Sequence, residues 1–135
     1  MCAAEASRRL LLDYRLDSGV AVVKVRGEVD VYTSGALRDG LLRVITDDGQ
    51  SGLVVNLADV KFIDSTGLGV LVGVLHRVRA TNRSLALAAP SQRARRILNT
   101  TGLAKVFWIY DTEAAAVEAC RPPSVGPAWP PSAAG

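Results

Sequence analysis

Residues 10–16 and 20–26 are short apolar-rich runs separated by Asp17-Ser18-Gly19, the pattern of two strands joined by a tight turn. Past Gly27-Glu28-Val29-Asp30 the period changes. Over 33–46, Leu37, Leu41, Val44 and Ile45 fall at i, i+4, i+7 and i+8, which predicts an amphipathic helix with Thr33 or Ser34 as N-cap. Asp47-Asp48-Gly49 ends it, and Leu53-Val54-Val55-Asn56-Leu57 is a nearly continuous apolar run of the kind found in strands covered on both faces. A helix from Ser65 to about Asn82 comes next, then a strand over 84–89. Pro90-Ser91 leads into a helix closed by Gly102, and a strand over 106–110 and a helix over 112–120 complete the pattern.

A hairpin followed by three strand–helix repeats implies an α/β fold: one mixed, largely parallel sheet of about five strands with about four helices. The 135 residues fit one domain, and 49% apolar content allows a continuous core without metal or disulfide staples. The expected organisation is an N-terminal arm over 1–9, a folded domain over 10–120 and a disordered tail over 121–135. The segment PPSVGPAWPPSAAG holds five of the 6 prolines and little that packs, with Trp129 as the one side chain suited to anchoring a partner.

Cys2 and Cys120 stand at opposite ends of the chain without metal or redox spacing, so no metal or cofactor is expected and a reducing, cytoplasmic setting follows. The longest apolar stretch, 68–75, is far short of the roughly 20 residues that span a bilayer. Arg8-Arg9 precede only three leucines before Asp13 is reached, so no signal peptide and no membrane association are expected. A net charge of +3, from 16 basic and 13 acidic residues, is weak for a protein that binds by neutralising phosphates, so nucleic acid is not an expected partner.

Lys61-Phe62-Ile63-Asp64-Ser65-Thr66-Gly67-Leu68-Gly69 lies between a strand and a helix, where open α/β sheets place their functional groups. By spacing alone Ser65 reads as an ordinary N-cap serine. It is also modifiable, since an added negative charge there meets the positive end of the helix dipole. Asp30, read from its position alone, ends a strand and starts a turn.

The run Phe62-Ile63-Asp64-Ser65-Thr66-Gly67-Leu68-Gly69-Val70 resembles the phosphorylation-site signature of the anti-sigma factor antagonists, members of the STAS domain family. The likeness extends to Gly27-Glu28-Val29-Asp30 and to the helix that ends in Thr101-Gly102-Leu103, and covers roughly residues 20–110. It implies that Ser65, more than Thr66, is phosphorylated by an anti-sigma factor that is a serine kinase, and that a serine phosphatase reverses the reaction. The unphosphorylated form is then expected to bind the kinase with its bound nucleotide and so release a sigma factor, and phosphorylation to abolish that binding. The resemblance implies a docking surface of Asp30, Tyr32, Thr33, Asp64, Ser65, Thr66, Gly67 and Leu68. The alternative is a STAS scaffold or signalling module without a dedicated anti-sigma kinase.

Enzymatic readings fare poorly. The only histidine, His76, lies eleven residues beyond Ser65 on the same expected helix, roughly 16 Å away at 1.5 Å per residue, so a Ser-His pair is out of reach. Gly67, Gly69 and Gly73 miss the dinucleotide fingerprint, because the third glycine is one residue late and a polar loop is expected to separate them from the leading strand. Arg77, Arg79, Arg83, Arg93, Arg95 and Arg96 read as solvated helix faces, or as a surface for an acidic protein patch. No aromatic residue interleaves with them to stack bases.

Overall fold

The computed structural model describes residues 10–45 and 50–121; the arm over 1–9 with Cys2, the expected helix end at Thr46 and Asp47-Asp48-Gly49, and the Pro-rich tail with Trp129 lie outside the described residues. Strands β1 (Leu10–Asp17) and β2 (Val20–Val29) form the hairpin. Ser18 and Gly19 both take positive φ, 56° and 84°, as a two-residue turn needs to follow the strand twist. Next come α1 (Ser34–Ile45), β3 (Gly52–Ile63), α2 (Ser65–Ala80), β4 (Ser84–Ala88), α3 (Gln92–Thr101), β5 (Trp108–Tyr110) and α4 (Glu113–Cys120), with a 3₁₀ turn at Leu103–Lys105. The sheet order is β1-β2-β3-β4-β5, and only the β1·β2 pair is antiparallel.

From β2 to β5 the chain steps across the sheet in one direction. Right-handed crossovers therefore put α1, α2 and α3 on the same face. Their stripes Leu37 and Leu41, Leu71 and Val74, and Ala94 and Leu98 pack on Val23, Val55 and Leu87. α4 lies on the opposite face, where Ala116, Val117 and Cys120 cover Val20, Val22, Val54 and Ala86. Its first residue is tied down: Glu113 accepts from Arg15 Nη2 at 2.6 Å and from Asn56 Nδ2 at 2.7 Å. The Arg15 guanidinium holds that carboxyl below its usual range.

β3 is longer than its apolar pattern suggests. The alternation Leu53, Val55, Leu57 breaks at Ala58-Asp59, yet the strand continues to Ile63. Lys24 pairs with Asn56 but Arg26 with Asp59, and Gly27 pairs with Val60 but Glu28 with Phe62, so β3 carries one extra residue at each of two bulges. Each bulge resets the pleat so that Val60 and Ile63, both 3% exposed, still face the core. The polar loop expected before Ser65 is therefore strand, and Gly67, Gly69 and Gly73 lie inside α2, as the helix expected from Ser65 implies.

Candidate functional site

Val29 and Ile63 are partners in the β2·β3 ladder, so the residues that follow them, Asp30 and Asp64, leave the sheet side by side. The Asp64 amide donates to the Val29 carbonyl at 3.1 Å and joins the two exits. Each aspartate then organises the start of a helix in the same way. Asp30 Oδ1 accepts from the amides of Tyr32 at 2.9 Å and Thr33 at 3.1 Å. Asp64 Oδ1 accepts from the amides of Thr66 at 3.0 Å and Gly67 at 3.1 Å. Aspartate suits both places, because its short carboxylate reaches amides that have no intrahelical partner.

This corrects the cap assigned to α2. Asp64 is the N-cap, with extended backbone at φ −108° and ψ −174°, and Ser65 is the first helical residue. Ser65 and Thr66 are both exposed. Among the described residues nothing pairs with Ser65 Oγ. At the head of α1 the carbonyl of Thr33 accepts from the Leu37 amide at 3.1 Å, as an N-cap carbonyl does. Its hydroxyl instead turns back to β2, donating to the Glu28 carbonyl at 2.8 Å and accepting from the Asp30 amide at 3.0 Å.

Behind the second turn, α2 meets the sheet closely. A Cβ on Gly67 would stand 2.4 Å from Val29 Cγ1 and 2.9 Å from Ile63 Cγ1, so only glycine lets the helix begin here. Leu68, 3% exposed, anchors the first turn in the core. Gly69 and Gly73 have no such constraint. With Thr66 and Val70 they line a groove of about 440 Å³ between α1 and α2, which Arg38 and Arg77 also border.

The eight residues expected on the docking surface are thus brought to one end of the sheet, in three roles. Tyr32, Ser65 and Thr66 are presented outward, Asp30 and Asp64 hold the turns, and the buried Thr33, Gly67 and Leu68 fix their depth. Two apolar neighbours missed in the sequence add to the surface: Val31, 63% exposed, and Phe62, 39% exposed.

The other candidates lie apart from this end. His76 is exposed on the same unbroken helix, eleven residues beyond Ser65, too far to act as its base. Two of the six arginines read as solvated are tied down: Arg83 donates to the Ile45 carbonyl at 2.6 Å and to Gln50 Oε1 at 3.3 Å, and Arg95 pairs with Asp111. Burial pushes the Cys120 thiol up to about 11, so it stays protonated and unreactive. Among the described residues no group of three His, Cys, Asp or Glu side chains could hold a metal, and no helix is long and apolar enough to cross a membrane.

Residues 12–116 match the family model of the STAS domain. Anti-sigma-B factor antagonists of Staphylococcus epidermidis and Staphylococcus aureus are each 41% identical over 81 residues, 60% of this chain and 74% of theirs. Among solved structures, an anti-sigma factor antagonist from Mycobacterium paratuberculosis superimposes with a TM-score of 0.76 at 31% identity, over 84% of this chain and 95% of the other. The fold alone is shared more widely. A sulfate transporter family protein from Wolinella succinogenes gives a TM-score of 0.65 at 19% identity, over 77% of this chain and 86% of that one.

Proposed function

Because this chain belongs to the STAS domain family, and its relatives are named anti-sigma factor antagonists, we propose that it is an anti-sigma factor antagonist switched by phosphorylation of Ser65. In this reading the unphosphorylated protein binds a cognate anti-sigma factor that is a serine kinase carrying a nucleotide, and a sigma factor is released. Phosphorylation ends the binding, and a serine phosphatase restores it. The chain would act in the cytoplasm by protein–protein contact.

The observation that carries the proposal is the exposed Ser65, first residue of α2, beside the exposed Tyr32 turn. A kinase needs a hydroxyl it can reach, and a docking surface needs protruding apolar and aromatic groups on a fixed frame. A phosphate on Ser65 adds about −1.5 to −2 charges next to Asp64, while the helix dipole partly compensates them. The charge falls inside the contact surface, where it costs binding, and the fold around it has little reason to change.

Transfer of labelled phosphate from ATP by the cognate kinase, with wild type, Ser65→Ala and Thr66→Ala compared, tests the acceptor. Label is expected in wild type and Thr66→Ala and absent from Ser65→Ala; label persisting in Ser65→Ala sinks the assignment. Calorimetry with Ser65→Asp and Ser65→Glu tests the switch. Both are expected to lose affinity for the anti-sigma factor, and undiminished binding by both would show that charge at this position does not act through the interface.

A further inference from the structure

The two edges of the sheet are unlike. β5 ends one edge with three residues, too few to template another strand. β1 forms the other with eight, paired to β2 without interruption from Leu10↔Gly27 to Asp17↔Val20. Monomeric proteins usually blunt such an edge with a bulge, a proline or charged side chains; β1 has no bulge, proline or lysine, and its charges, Asp13, Arg15 and Asp17, alternate in sign. Instead Leu11, Tyr14 and Leu16 are exposed by 47%, 44% and 60%.

The order of side chains along β1 selects an occupant. Leu12, Tyr14 and Leu16 lie opposite Val25, Val23 and Ala21, on the face that carries α1, α2 and α3. Leu11, Asp13, Arg15 and Asp17 lie on the other face. A second copy added antiparallel through a two-fold axis normal to the sheet keeps these faces aligned only if the axis passes through a residue, because directly opposed residues share a face. Two such registers, with the axis at Asp13 or at Tyr14, pair seven of the eight residues, whereas an axis at Leu12 or Arg15 pairs five. An axis at Asp13 sets Asp13 against itself; an axis at Arg15 sets Arg15 against itself and Asp13 against Asp17. An axis at Tyr14 sets each Asp13 against the other copy's Arg15, each Leu12 against Leu16, and Tyr14 on Tyr14, with Leu11 against Asp17 as the one mismatched pair.

We propose that β1 is a self-complementary edge through which two copies of this chain form a dimer centred on Tyr14, with a continuous ten-stranded sheet. Like charges directly opposed are unfavourable and opposite ones favourable, so charge selects the Tyr14 register over its two neighbours. Arg15 can serve it while bonded to Glu113, since only its Nη2 is engaged there and a guanidinium has five N–H donors. The copies run antiparallel, so the two Ser65 ends point in opposite directions and both stay open. The dimer does not depend on the function proposed for them.

Sedimentation equilibrium of the full chain over a concentration series tests this. Wild type is expected to dimerise reversibly. Asp13→Lys and Arg15→Glu are each expected to weaken the dimer by about tenfold or more, because each sets like charges opposite one another twice. An equimolar mixture of the two is expected to recover association, the new lysine of one chain facing the new glutamate of the other. Circular dichroism monitors folding, and if Arg15→Glu is impaired by losing Glu113, Asp13→Lys alone decides, since Asp13 is exposed on the strand. A wild type that stays monomeric at about 1 mM, or a dimer that Asp13→Lys leaves unchanged, overturns the proposal.

Discussion

Asp30 and Asp64 follow strand residues that pair with each other, and each carboxylate gathers two amides at the head of a helix. Between aspartate and buried anchor, one turn shows Val31 and Tyr32 above Thr33, and the other shows Ser65 and Thr66 above Gly67. The backbone device is the same while the chemistry displayed is opposite, apolar and aromatic on one side, hydroxyls on the other. Framework and display are therefore separable here: the aspartates and anchors set geometry, and the two outward residues of each turn are what the proposed docking surface would present.

Substitutions at matching positions can break this division. Gly67→Ala should do most damage, because its Cβ meets two branched side chains of the buried core. Net of the helix-propensity gain, a loss of about 2 kcal/mol is expected in urea unfolding. An unchanged midpoint would mean that the anchor is not tight. Tyr32→Ala is expected to leave stability within about 0.5 kcal/mol yet weaken anti-sigma factor binding by about tenfold in calorimetry. Equal affinity would assign the recognition to the hydroxyl turn alone.

Asp64→Ala is expected to cost about 1 kcal/mol of stability as a lost helix cap, and Asp30→Ala about as much through the lost turn ahead of α1. Similar values would sharpen the view of one device used twice, whereas a large disparity would break it. Ser65→Ala stands last, with a change in thermal stability of less than about 0.5 kcal/mol expected, even though it removes the proposed acceptor. A larger loss would return Ser65 to a structural role.

Much of this arrangement was legible in the sequence. The hairpin, the four helices and the succession of elements along the chain were legible from apolar patterning together with turn and cap residues, and Ser91 and Gly102 cap α3 as expected. The second half of β3 was not legible, because two bulges turn its apolar spacing from two to three and make strand look like loop. The caps were legible in kind but not in position. Asp64 and Ser65 are adjacent and both suit an N-cap, and only the backbone shows that the carboxylate takes that place. Nothing in local pattern said that Thr33 would turn its hydroxyl back to β2, which depends on the neighbouring strand end. The motif drew attention to Ser65 through resemblance, while the apolar reach of Val31 and Phe62 needed three dimensions.

The unpartnered Ser65 hydroxyl has a thermodynamic corollary. Esterifying it breaks no hydrogen bond among the described residues, and its charge meets only the repulsion of Asp64, partly compensated by the helix dipole. In the proposed switch the on–off ratio is then generated at the interface, at about 1.4 kcal/mol for each factor of ten, with no need to expose the core.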